Sequence, residues 1–179
     1  QAAMVIQNAN LLQAQQEEAY VSMALLQVAE AISRSTSLDE AMAAVVRITP
    51  ILAGAETCIL YLWNQGANCF VPYQEYGLEQ EAQVVFWQSH VTRDEPVVQQ
   101  LSAGETFVRM RDRGDKPGDL AQLGQGPFLA LPLTSKGELL GIMSVEHDGS
   151  SRRFEERWLH IVTGIAGQAA LAVENDLLL

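Results

Sequence analysis

Positive charge is scarce in this chain of 179 residues: 11 Lys and Arg stand against 22 Asp and Glu, a formal net charge of −11. A nucleic-acid surface needs clustered cations to displace counterions, and an anionic membrane attracts the same groups, so the charge argues against both partners. Long apolar runs are missing too. No stretch reaches the roughly 18 residues of a spanning helix. No secretory leader opens the sequence, and the first residue is Gln1 rather than Met, so we expect an excised fragment of a longer protein. Cysteine is limited to Cys58 and Cys69, too few for a disulfide framework or a metal knuckle, and a reduced, cytoplasmic setting is the simple expectation. The histidines, His90, His147 and His160, lie too far apart to form a metal site by spacing. No local motif supports Ser-His-Asp or paired-carboxylate catalysis, so no catalytic residue and no metal ligand is expected, and the cofactor stays unknown.

What the chain does have is an ordered series of elements. Gly and Pro are absent from Gln1 to Ser33, which is rich in Ala, Gln, Leu and Glu and reads as one long helix. Met4, Leu11, Glu18, Leu25 and Ile32 fall seven apart, and Gln7, Ala14, Val21 and Val28 supply a second line. That imperfect heptad fits a dimeric coiled coil or an amphipathic helix packed on its own domain. Ser37 and Glu40 form a capping box for a helix from Leu38 to about Ala53, ended by Gly54. Glu56–Trp63 and Cys69–Tyr76 read as a hairpin, with Pro72 pointing to an edge strand. Short helices follow near Glu79–Trp87 and Glu95–Ala103, then a short strand at Glu105–Met110. Asp112 to Gln125, rich in charge and Gly, reads as a loop suited to binding.

Phe128–Leu133 and Leu139–Val145 are apolar runs joined by Thr134-Ser135-Lys136-Gly137 and Glu138, which spells an antiparallel hairpin. Neither run alternates, so both faces should be covered, at the centre of a sheet. Pro132 must then face away from a partner, sit at a bulge, or lie where pairing gives out. From Phe154 a last helix runs to the end, with Trp158, Ile161, Val162, Ile165, Ala169, Ala172 and Val173 inward and a slim line of Gly and Ala that lets a neighbour come close.

The last third resembles the GAF domain family of small-molecule sensor modules. The resemblance rests on Ala130-Leu131-Pro132-Leu133, Gly137, Gly141-Ile142-Met143-Ser144-Val145, Phe154, and the closing Ala166 to Asn175. Leu25 to Ser33 and Leu38 extend it towards the start. It implies an α+β fold (GAF/PAS-like): a central twisted antiparallel sheet with helices packed on one face, and long N- and C-terminal helices. The implied division is a signalling helix over 1–34, a GAF domain over 35–171, and the start of an output helix over 172–179. The implied role is a sensory module of a bacterial signalling protein, such as a two-component system. The resemblance also implies a homodimer through the terminal helices and a C-terminal effector domain in the full-length chain.

The face under the loop segments would hold an unknown small-molecule ligand, lined by Leu62, Tyr73, Phe86, Trp87, Phe107, Leu120, Leu131 and Ser144, with Glu146 as polar anchor. Two alternatives stand beside it: an architectural dimeriser without natural ligand, and an enzyme like the relatives that reduce free methionine sulfoxide. The latter use several pocket cysteines, whereas Cys58 and Cys69 sit on the first hairpin. No Asn-Lys-x-Asp signature of cyclic-nucleotide binders occurs, and neither cysteine precedes a His as in bilin attachment.

Overall fold

The computed structural model describes residues 1–109, 123–124, 126–147 and 156–178. The elements run α1 (Ala2–Ser33), α2 (Leu38–Ala53), β1 (Thr57–Asn64), β2 (Cys69–Tyr76), α3 (Gln80–Gln88), α4 (Pro96–Ser102), β3 (Phe107–Arg109), β4 (Phe128–Ser135), β5 (Glu138–Glu146) and α5 (Glu156–Leu177). The five strands form one antiparallel sheet in the order β2-β1-β5-β4-β3. This is the expected α+β architecture, with Leu139–Val145 in its central strand. Phe154 and the segment 112–122 lie outside the described residues.

Local chemistry sets the boundaries. Ser37 accepts the Glu40 backbone N–H at 3.2 Å, while the Glu40 carboxylate reaches back to the N–H and hydroxyl of Thr36, each at 2.8 Å. Two orphan donors at the start of α2 are thus satisfied. Gly54 ends the helix in the left-handed region at φ 63°. The β4–β5 turn is Lys136-Gly137, both at positive φ, the two-residue geometry whose twist matches the strands it joins. Pro132 sits past the last β3–β4 pair, where β4 has a partner on one flank alone. Pro72 is on the edge strand β2, at the register shift opposite Leu60 and Tyr61.

Each sheet face carries its own core, because side chains alternate along a strand. Cys58, Leu60, Leu62, Leu129, Leu131, Leu133, Met143 and Val145 meet α1, α2 and α5 on one face. Ile59, Tyr61, Phe70, Phe128, Ala130 and Ile142 meet α3, α4 and Leu123 on the other. The slim line of α5 does admit a neighbour: a Cβ at Gly164 would lie 2.5 Å from Leu25 Cδ2 of α1.

The heptad line of α1 divides between two environments. Val21, Leu25, Val28 and Ile32 pack on the domain, and every residue from 1 to 20 is exposed. No described helix is long and apolar enough to cross a membrane.

Candidate functional site

The face beneath α3 and α4 is built around aromatic rings. Phe86 of α3 lies edge-on to Tyr61 at 5.1 Å between centroids, Trp63 to Phe70 at 5.0 Å, and Phe107 lies 6.0 Å from Phe128. Val97, Val98 and Leu101 of α4 close over the sheet. The Tyr61 hydroxyl sits 2.7 Å from Ser89 Oγ, and Ser89 spends its own proton on the Phe86 carbonyl at 2.6 Å, so Tyr61 is the donor. Burial pushes the Tyr61 phenol well above its ordinary range.

Two polar side chains of β5 share this face and hold the chain that enters β4. Ser144 donates to the Leu123 carbonyl at 2.6 Å. The Glu146 carboxylate accepts the Gly126 N–H and, at 3.3 Å, the Thr57 hydroxyl. Gly126 is needed for that approach, since a Cβ there would meet Glu146 Oε1 at 2.7 Å. Ser144 and Glu146 therefore latch Leu123 and Gly126 onto the sheet.

The residues expected to line one pocket fall on both sides of the sheet. Phe86, Phe107, Ser144 and Glu146 share the face under the short helices. Trp87 is 51% exposed and stands edge-on to Phe86 at its rim, 5.0 Å away. Leu62 and Leu131 point the other way, into the core against α2 and α5. They have the parity of Leu60 and Leu129, not that of Tyr61 and Ala130. Tyr73 also lies on the helix side, since it has the parity opposite to Phe70, which faces the short helices. Burial and the Asp39 carboxylate it bonds raise its pKa. Leu120 lies outside the described residues.

Tyr61, Phe70, Phe128 and Ile142 belong to this face and were not singled out. The signal for Ile142 was parity: it stands two residues before Ser144 on the same strand.

Both cysteines are buried and free. Cys58 faces the helices, and burial pushes its thiol up to about 12. Among the described residues no group of three or more His, Cys, Asp or Glu is placed to hold a metal ion. A separate concavity of about 740 Å³ opens between the two hairpin tips, where Arg93 lies 3.9 Å over the Trp63 ring.

This layout matches a known family. A sequence model of the GAF domain covers residues 37–175. The chain belongs to the GAF domain family. No curated protein matches the sequence. Among solved structures, the GAF domain of an Acinetobacter phosphoenolpyruvate-protein phosphotransferase superposes with a TM-score of 0.71 at 17% identity, covering 87% of this chain and 93% of that one. Residues 122 to 287 of a methyl-accepting chemotaxis protein give 0.67 at 16% identity, over 84% and 97%. A free methionine-R-sulfoxide reductase from Neisseria meningitidis, in complex with its substrate, gives 0.68 at 17% identity, over 88% and 90%. At these identities the likeness concerns the fold.

Proposed function

We propose that this GAF domain is a non-catalytic sensory or regulatory module of a multidomain signalling protein. It takes a small molecule on the sheet face beneath α3 and α4, and passes its state through dimeric α1 and α5 to a C-terminal effector. The observation that carries this reading is the two-sided central strand. In β5, Ile142 and Ser144 face the short helices while Met143 and Val145 face the bundle that contains both long helices. A shift of that strand on one side is felt on the other, because close-packed interiors transmit displacement. Phe86, Phe107, Ser144 and Glu146 would line the ligand, with Trp87 at the rim. Relatives of this fold in a phosphotransferase and a chemotaxis protein support the signalling context.

The sulfoxide reductase relative supports a second reading. Against it stands the chemistry of the thiols: a nucleophilic cysteine needs a lowered pKa, and Cys58 has the reverse.

The test is a thermal-unfolding screen with nucleotides, tetrapyrroles and small carboxylic acids. We expect one class to raise Tm with concentration, and Phe86→Ala to remove that shift. Failure of every class to stabilise the protein favours an architectural dimeriser. Turnover of free methionine sulfoxide that Cys58→Ser and Cys69→Ser abolish would establish the enzyme instead.

A further inference from the structure

The central strand pair stops short of both hairpin tips. β1 and β5 are paired from Thr57↔Glu146 as far as Leu62↔Gly141. Each hairpin then runs on without the other, β1–β2 to Asn64↔Cys69 and β4–β5 to Ser135↔Glu138. The reason lies in β5. Leu133 pairs with Gly141 and Thr134 with Leu139, so Leu140 is an extra residue on that strand. A bulge of this kind bends its strand and disrupts the ladder locally. The tips therefore part, and the concavity of about 740 Å³ opens between them, a size usual for a small-molecule site. Leu62, Leu139, Leu140 and Val173 supply its apolar lining, with exposed Leu177 of α5 beside them.

One cation of this concavity is held in place and has no counter-ion. The Arg93 guanidinium carbon lies 3.9 Å over the Trp63 ring. Among the described residues no carboxylate pairs with it, the ion pairs being Arg34–Glu30 and Lys136–Glu174. The neighbouring Glu95 carboxylate is turned to the Thr92 N–H at 3.0 Å. Stacking occupies a face of the guanidinium and leaves its N–H edge open, the edge that fits the two oxygens of a carboxylate. Glu138 also lines the concavity and disfavours a second negative charge there. We infer that this concavity binds a small monocarboxylate with an apolar body, its carboxylate on Arg93 and its body on Leu62, Leu139 and Val173. A nucleoside triphosphate would bring several charges to one cation and Glu138, in a chain of −11. The site is separate from the face beneath α3 and α4, and stands whether or not that face takes a ligand. Its occupant touches both hairpin tips and α5 at once, near the Lys136–Glu174 ion pair of 2.6 Å that ties one tip to that helix.

A rise in unfolding temperature with a small acid does not tell this site from the α3–α4 face, so the test is residue-resolved NMR of the whole chain. Titration with sodium phenylacetate should give saturable shifts at the Trp63 indole N–H and at the Asn68, Leu140 and Val173 amides. Phenylacetamide, of nearly the same shape without the charge, should bind about tenfold or more weakly. Arg93→Gln, at an exposed position, should weaken phenylacetate by a similar factor, leave phenylacetamide unchanged and keep the unfolding temperature. Phenylmalonate, with its second carboxylate, should bind more weakly than phenylacetate, and Glu138→Gln should narrow that gap. The absence of saturable shifts at these positions overturns the site. Binding that survives Arg93→Gln overturns the role of the guanidinium, and phenylmalonate as tight as phenylacetate overturns the limit to one charge. Shifts confined to Phe107, Ala130 and Ser144 would instead place the carboxylate on the α3–α4 face, which supports the sensory reading and refutes this one.

Discussion

Gly141 of β5 lies against the Tyr61 carbonyl of β1 so closely that a Cβ at position 141 would stand 2.6 Å from that oxygen and 2.7 Å from Leu62 Cδ2. A backbone oxygen in a central strand pair has no room to retreat. Gly141→Ala should therefore cost about 2–3 kcal/mol, in the range of overpacked cores. Gly167, whose Cβ would meet nothing within 4 Å, is the control: Gly167→Ala gains helix propensity and should be neutral or stabilising by up to about 1 kcal/mol. Urea unfolding of both variants measures the contrast, and equal effects would mean that the strand pair is looser than described.

The latch built by Ser144 and Glu146 makes a second prediction. Glu146→Ala leaves the Gly126 N–H and the Thr57 hydroxyl without their acceptor, at a cost of about 1–3 kcal/mol. The Gly126 amide should exchange faster in deuterated water. Glu146→Gln keeps an acceptor oxygen and should retain most of the protection. Unchanged exchange in Glu146→Ala would show that the segment is held by other means.

Leu131 is 1% exposed among residues of the helix-side core. Leu131→Ala should lose about 2–5 kcal/mol, the usual span for a truncated buried leucine. Trp87→Ala, on the exposed rim, should change stability by no more than about 0.5 kcal/mol. Chemical denaturation decides whether the two faces are assigned correctly.

The buried thiol of Cys58 gives a pH dependence with a definite sign. In the unfolded chain it ionises near its ordinary value of 9.0, and in the fold only at about 12. Its contribution to stability is therefore complete below 9.0 and is lost as the pH climbs towards 12. Tyr61 and Tyr73, also raised by burial, act in the same direction. Denaturation midpoints should fall as the pH rises past 9.0, and Cys58→Ala should flatten that slope without abolishing it. Native protein should also resist alkylation at Cys58 until it unfolds.

The sheet and its helices were legible because the two apolar runs around Lys136-Gly137, the capping residues Ser37 and Glu40, and Gly54 each announce local structure. The face of each strand was not. Leu62 and Tyr61 are both large and apolar, so a strand buried on two sides gives no alternation from which to read parity. Tyr73 follows the alternation that starts at Phe70, but both residues are aromatic and neither marks its face. Ser144 and Glu146 stood out as polar exceptions, yet their partners at Leu123 and Gly126 lie some twenty residues earlier, with nothing in the sequence to join them.

The rims of the sheet limit how copies of this protein can associate. On one side the backbone of Phe70 is already bonded in both directions to Val91, at 2.8 and 2.9 Å, and Pro72 interrupts the rest of β2. On the other, among the described residues, β3 offers Phe107–Arg109. Rims so short or so spoiled are poor templates for ribbon-to-ribbon growth. Neighbouring copies are therefore steered away from edge-to-edge fibrils.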